Sequence, residues 1–144
     1  YWERGLLEAT MDATESGAGT LEAALVGGAD EPYWGVHYDF GSPKRGSHLI
    51  GPSRAAEIAV NAVLPLVYAL GQHRSEDTLC RSALDCLRNY PGRGDNELTR
   101  YVAREVLRSK PRRKACPQQG LLHLYRRWCR DKNCGECPIA AGPL

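Results

Sequence analysis

The run "IAVNAVLPLVYAL", Ile58 to Leu70, constrains the fold of this chain more than any other stretch. It is the longest apolar run in the 144 residues. Ile58, Val60, Val63, Leu64, Val67 and Leu70 cover so much of a helical circumference that a helix here is expected to be central and buried. Ser53 stands where an N-cap is wanted. Pro65 has no N–H to donate, so the helix is expected to kink near Asn61, whose carbonyl loses that partner. Asn61 and Pro65 also leave the run short of the roughly 20 residues that a membrane span needs. The chain therefore reads as soluble and cytoplasmic, without a membrane partner, and nothing in its opening "YWERGLLEAT" resembles a signal peptide.

The same 3.6-residue period recurs downstream. A helix is expected from about Ser75 to Asn89, with Leu79, Ala83, Leu84 and Leu87 on one face, and "YPGRG" ends it. The next starts at Asp95 or Asn96, runs to about Ser109 and buries Leu98, Val102 and Val106. The last begins at Pro117, a residue type favoured in the first turn, and carries Leu121, Leu124, Tyr125 and Trp128 as its stripe. Residues 5–14 and 20–26 read as two shorter helices. Between Asp30 and Ser53 the composition turns to Gly, Pro and aromatics, which predicts a loop pinned onto the helices by Tyr33, Trp34, Tyr38 and Phe40. The expected fold class is all-α: about four main helices, antiparallel where connections are short, with a long aromatic N-terminal loop and a C-terminal cysteine knuckle. Residues 1–32 form an acidic helical segment, and residues 33–144 the helical domain. The absence of a starting methionine reads as the C-terminal piece of a longer protein.

Charge is sorted along the chain although the net charge is only +2. Residues 1–32 hold seven acids and one base, whereas residues 93–144 hold twelve bases and five acids. A basic end of this kind either meets an anionic partner or docks on the acidic end. Lys110, Arg112, Arg113 and Lys114 crowd the linker before the last helix, and Arg126, Arg127 and Arg130 crowd its far end, about 20 Å away along the helix. Duplex DNA presents several phosphates over that span, so nucleic acid is a candidate partner. With Tyr125 and Trp128 expected on the buried stripe, contact with it would be non-specific.

Three of the six cysteines fall within "CRDKNCGECPI". Cys134 and Cys137 have the C-x-x-C spacing that lets two sulfurs of one turn face a single ion, and Cys129 adds a third at the end of the preceding helix. Zinc, slightly preferred, and a [4Fe–4S] cluster both want four ligands. Cys116 is a helix length away from Cys129, and His123 leans away from the site. A fourth ligand would have to come from Cys80, Cys86, His73, His37 or His48. Without metal, the alternatives are free thiols or a disulfide. A redox-active C-x-x-C is disfavoured because the chain shows no βαβ unit. His37, Asp39 and His48 in the loop have no register that would make them converge, and they read as loop groups tying down their own backbone. No nucleophile elbow, P-loop or dinucleotide fingerprint is present, so no catalytic residue is assigned in this chain.

The segments "YWGVHYDFG", "IGPSRAAEIAVNAVLPLVYALG", "NELTRYVAREVL" and "QQGLLHLYRRWCRDKNCGECPI" resemble, in order, the C-terminal part of a bacterial family known as domain of unknown function 2851. The resemblance implies a larger upstream region, in which family members carry acidic and histidine motifs similar to those of metal-dependent nucleases. That region would be both the partner of this chain and the place where any enzymatic activity resides. It implies no activity for the residues here. The reading that combines these features is an accessory or structural helical domain with a cysteine-based metal site locking its end. The alternatives are a nucleic-acid-contacting module of a nuclease-like protein and an Fe–S redox or sensing domain.

Overall fold

The computed structural model describes residues 5–26, 33, 36–37, 39–41, 50–92, 96–110 and 114–140. They form two compact units that divide between Tyr90 and Pro91. Among the described residues there are six helices and no strand. The all-α class is as expected, but the count of about four main helices is corrected to six. The two N-terminal segments are full packing partners, whereas their short periodic patterns had ranked them below the rest.

In the first unit, α1 (Leu6–Ser16) and α2 (Ala18–Val26) are separated by Gly17. Its φ of +100° lies in the left-handed region that favours glycine, so the chain turns there at little cost. α1 buries the small residues Thr10, Ala13 and Thr14, which lie at helical spacing on one face and let α2 and a later helix approach closely. Burial of the two hydroxyls is tolerated because each donates to a carbonyl one turn back, Thr14 Oγ1 to Thr10 at 2.7 Å and Thr10 Oγ1 to Leu7 at 2.9 Å. α2 contributes Leu21 and Leu25 to the core.

The apolar run lies in α3, a continuous helix of 23 residues, Pro52–Arg74. Its N-cap is Gly51 with Pro52 in the first turn, in place of the expected Ser53 cap. Upstream of Pro65 the helix widens into one π-turn, Ala59–Val63. This answers the conflict at Asn61: the proline ring would collide with a carbonyl four residues back, and the extra residue per turn moves that carbonyl aside. α3 is long and apolar enough to cross a membrane by length and composition, with 33% of its apolar window buried in the protein. Its burial is one-sided, because Ala55, Ala56, Ala59, Leu64, Val67 and Gly71 face inward while Leu66 and Tyr68 remain exposed.

α4 (Asp77–Asn89) returns along α3 and buries Leu79, Cys80, Ala83 and Cys86. The turn between them is closed by Ser75 in the left-handed conformation, with the Glu76 N–H donating to the Gly71 carbonyl at 2.8 Å and the Ser75 N–H to Gln72 at 3.3 Å. Beyond α4, Tyr90 is 1% exposed, and its hydroxyl donates to the Glu22 carboxylate at 3.0 Å, pinning the end of α4 to α2.

Among the described residues the expected aromatic loop is not found as such. Tyr33 stacks on His37 with ring centroids 4.0 Å apart, and its hydroxyl donates to the Asp39 carbonyl and accepts from the Gly41 N–H, both at 3.3 Å. Phe40 is 86% exposed. The Phe40 ring lies tilted to that of Tyr33, with centroids 6.1 Å apart. Trp34, Tyr38 and His48 lie outside the described residues.

In the second unit, α5 starts as an α-helix, Glu97–Tyr101, and widens to a π-turn, Val102–Val106. The Asn96 side chain accepts from the Thr99 N–H at 2.8 Å and caps the helix at one of the two expected starts. Thr99, Val102 and Ala103 are buried, while Leu98 sits at the rim. α6 runs as an α-helix over Ala115–Leu124 and as a π-turn over Tyr125–Cys129. An isolated antiparallel bridge joins Pro91 to Lys114 just before it. The core of this unit consists of Val102, Ala103, Leu121, Leu124 and Cys137, with Val106, Leu107, Tyr125, Trp128 and Cys129 packed partly buried against it.

Candidate functional site

α6 ends in a motif that aims the cysteine segment back at the helix. Lys132 takes the left-handed conformation, φ 55°, while the Asn133 N–H donates to the Trp128 carbonyl at 2.9 Å and the Lys132 N–H to Cys129 at 3.3 Å. These are the two bonds of a Schellman helix end, in which glycine would normally occupy the position of Lys132. A single 3-10 turn, Cys134–Glu136, follows, closed by the Cys137 N–H on the Cys134 carbonyl at 3.2 Å. Pro138 disfavours helical geometry in the residue before it, and Cys137 accordingly leaves the turn extended, φ −76°, ψ 124°.

The three sulfurs share a neighbourhood but do not make a metal centre. Burial first, then the negative charges that Cys137 and Cys134 can carry, raise the Cys129 thiol above its usual range. The surroundings of the three differ: Cys134 is exposed, Cys129 half-buried, and Cys137 only 5% exposed in the core. Among the described residues no group of three or more Cys, His, Asp or Glu side chains could hold a metal ion, and the cysteines are free thiols. The expectation of zinc or a [4Fe–4S] cluster on Cys129, Cys134 and Cys137, and with it the metal-locked knuckle, is corrected accordingly. Cys137 is used as a small apolar core residue, a common role for an unpaired cysteine, and among the described residues no fourth ligand joins the set. Most of the candidates for that place have local roles. Cys80 accepts from Gln72 Nε2 at 3.3 Å and donates to the Tyr68 carbonyl at 3.6 Å, burial raises the Cys86 thiol, and His37 Nδ1 lies 2.9 Å from the Tyr33 carbonyl.

The basic residues stand outward. On α5, Arg100 and Arg104 are exposed, and Arg108 follows four residues on in the left-handed conformation, φ 47°. On α6, Arg126 and Arg127 are exposed on the π-turn, and Arg130 is held by Asp131 at 3.0 Å. Lys110, Lys114 and Lys132 are exposed as well, whereas Arg112 and Arg113 lie outside the described residues. Among the described residues, Arg130 is the one basic side chain of this unit in an ion pair.

Aromatic rings intersperse these charges, a feature hidden in the sequence, whose stripe placed Tyr125 and Trp128 in the interior. The Arg127 guanidinium lies 5.8 Å from the centre of the half-buried Trp128 ring, and exposed His123 meets Trp128 edge-on with ring centroids 5.7 Å apart. Tyr101, 50% exposed, makes an edge contact with Tyr125 at 6.5 Å. The Tyr125 and Trp128 rings also pack partly buried against the core of the unit, as their place on the stripe predicts.

Residues 5–96 match the family described as "Protein of unknown function (DUF2851)". The match takes in all four helices of the first unit and ends at the N-cap of α5, ahead of the basic and cysteine-bearing end. No curated protein and no solved structure matches the chain.

Proposed function

The chain belongs to the DUF2851 family of proteins of unknown function, and from that premise we propose that residues 91–144 are a nucleic-acid-contacting module that binds the phosphate backbone without reading sequence. The observation that carries this reading is the set of exposed basic side chains on α5, α6 and the turn after it which, Arg130 excepted, make no ion pair among the described residues, within a segment holding twelve bases and five acids. Unpaired cations on rigid helices release counterions from nucleic acid on contact, and that release drives sequence-independent binding. Tyr101 and His123 add exposed rings on which unpaired bases can stack, so single strands are favoured over duplex. Two of the basic residues, Arg108 and Lys132, occupy left-handed positions where glycine is the cheaper choice. We further propose that the chain corresponds to the C-terminal part of the longer family proteins, on the strength of the four segments quoted above, and that this module serves the upstream region.

The test is a fluorescence-anisotropy titration of labelled single-stranded and duplex oligonucleotides with the full chain at about 50 and 200 mM salt. It is repeated with Lys114, Arg126 and Arg127 all changed to Ala. Affinity should fall steeply with salt, and the triple variant should bind more weakly and with a shallower salt dependence. No binding at the lower salt, or binding indifferent to the three changes, overturns the proposal.

A further inference from the structure

The C-x-x-C turn lacks the ligand set for a metal, but its geometry suits a bond between its own two sulfurs. In a 3-10 turn the side chains at i and i+3 eclipse, and Cys134 and Cys137 are the i and i+3 positions of a turn closed by a 3.2 Å hydrogen bond. Such a turn holds the two Cα atoms within about 7 Å, overlapping the roughly 4.4–6.8 Å that a disulfide spans. Metal coordination needs four converging ligands, whereas a disulfide needs only these two cysteines, held by one turn.

We propose that Cys134 and Cys137 form a dithiol that hydroperoxides oxidise to an intramolecular disulfide, with Cys134 as the attacking thiol and Cys137 as the resolving one. The roles follow from burial, since Cys134 is open to solvent and Cys137, 5% exposed, meets no oxidant directly. Hydrogen peroxide serves as the two-electron oxidant. The Cys134 thiolate attacks one peroxide oxygen, the O–O bond breaks, and the leaving hydroxide takes up the thiol proton, giving Cys134 sulfenic acid and one water. The Cys137 sulfur then attacks the sulfenic sulfur. The S–O bond breaks as the S–S bond forms, and the departing hydroxide takes the Cys137 proton as a second water. Two thiols and one peroxide thus yield one disulfide and two waters, and a dithiol reductant reverses the change by exchange.

The experiment treats the full reduced chain with hydrogen peroxide, blocks remaining thiols with iodoacetamide, and maps tryptic peptides by mass spectrometry. Cleavage after Lys132 leaves Cys134 and Cys137 in one peptide, whereas Cys129 lies in another. The expected product is the peptide 133–144 lighter by two hydrogens, unalkylated, and restored by dithiothreitol. Cys129→Ser should leave it intact, and Cys137→Ala should stop the reaction at a Cys134 sulfenic acid that dimedone traps. Alkylation of both cysteines after peroxide, or a link joining the Cys129 peptide to 133–144, overturns the proposal. The wild-type chain alone separates these outcomes, so a folding defect in a variant cannot obscure them.

Discussion

Replacing Gly71 by Ala should destabilise the first unit, although the change favours a helix in isolation. A Cβ on Gly71 would stand 2.7 Å from Cys80 Sγ, 3.0 Å from the Cys80 backbone N and 3.2 Å from the Glu76 carbonyl O. Carbon prefers neighbours at about 3.5–4.0 Å, so α3 and α4 must separate or Cys80 must turn. Turning Cys80 sacrifices its contacts with Gln72 and Tyr68, at about 1 kcal/mol, and leaves the clash with its backbone N in place. Overpacking costs about 1–3 kcal/mol, and the Gly-to-Ala propensity gain returns at most about 1 kcal/mol so near a helix end. The expected net loss is about 1–2 kcal/mol. Urea unfolding followed by far-UV circular dichroism measures it, with hydrogen exchange of the α4 amides locating the loss in the first unit. In a Cys80→Ala background the same substitution should cost less, because the nearest atom is gone. A Gly71→Ala variant as stable as wild type, or an identical cost in both backgrounds, would refute the close-contact reasoning.

Other expectations rest on single features. Ser75→Gly should stabilise by up to about 1 kcal/mol, the left-handed strain relieved exceeding the added chain entropy; a lower urea midpoint would contradict this. Asn96→Ala removes the cap on Thr99 and should cost about 1 kcal/mol, read as faster hydrogen exchange in the first turn of α5. Burial lifts the Cys86 thiol above its ordinary 9.0, so on raising the pH the unfolded chain loses this proton before the folded one does. The stability it contributes is present below pH 9.0 and drains away above it. Cys86→Ala should flatten the alkaline limb of a stability–pH profile, and an unchanged slope there would contradict the assignment.

Helix periodicity and end signals were legible in the sequence because they are local. The Asn96 cap, the stop at "YPGRG", the helical character of Ile58–Leu70 and the conflict at Pro65 all depend on residues within four or five positions, the range over which helix hydrogen bonds form. The stripes also located Leu64, Val67, Leu79, Val102 and Leu121 in the core. The way the helix accommodates Pro65 was less legible, since a kink and a π-turn solve the same steric problem and packing on neighbouring helices selects between them. The C-x-x-C spacing announced a tight turn, which is present. Whether its sulfurs face an ion is a question about surroundings, and the structure buries one against Leu121 and Leu124 while leaving the other in water.

By itself, then, the sequence determined where helices form, how several of them end, and that basic charge gathers after residue 93. Tertiary structure alone decided that Gly71 must lack a side chain, that Cys137 is a core residue, and that the cations of α5 and α6 stand clear of acids among the described residues, Arg130 beside Asp131 excepted. The division has one physical cause. Hydrogen bonding along a helix is settled between near neighbours, whereas burial, ligand convergence and charge pairing depend on distances between residues far apart in the chain, and only the packed fold sets those distances.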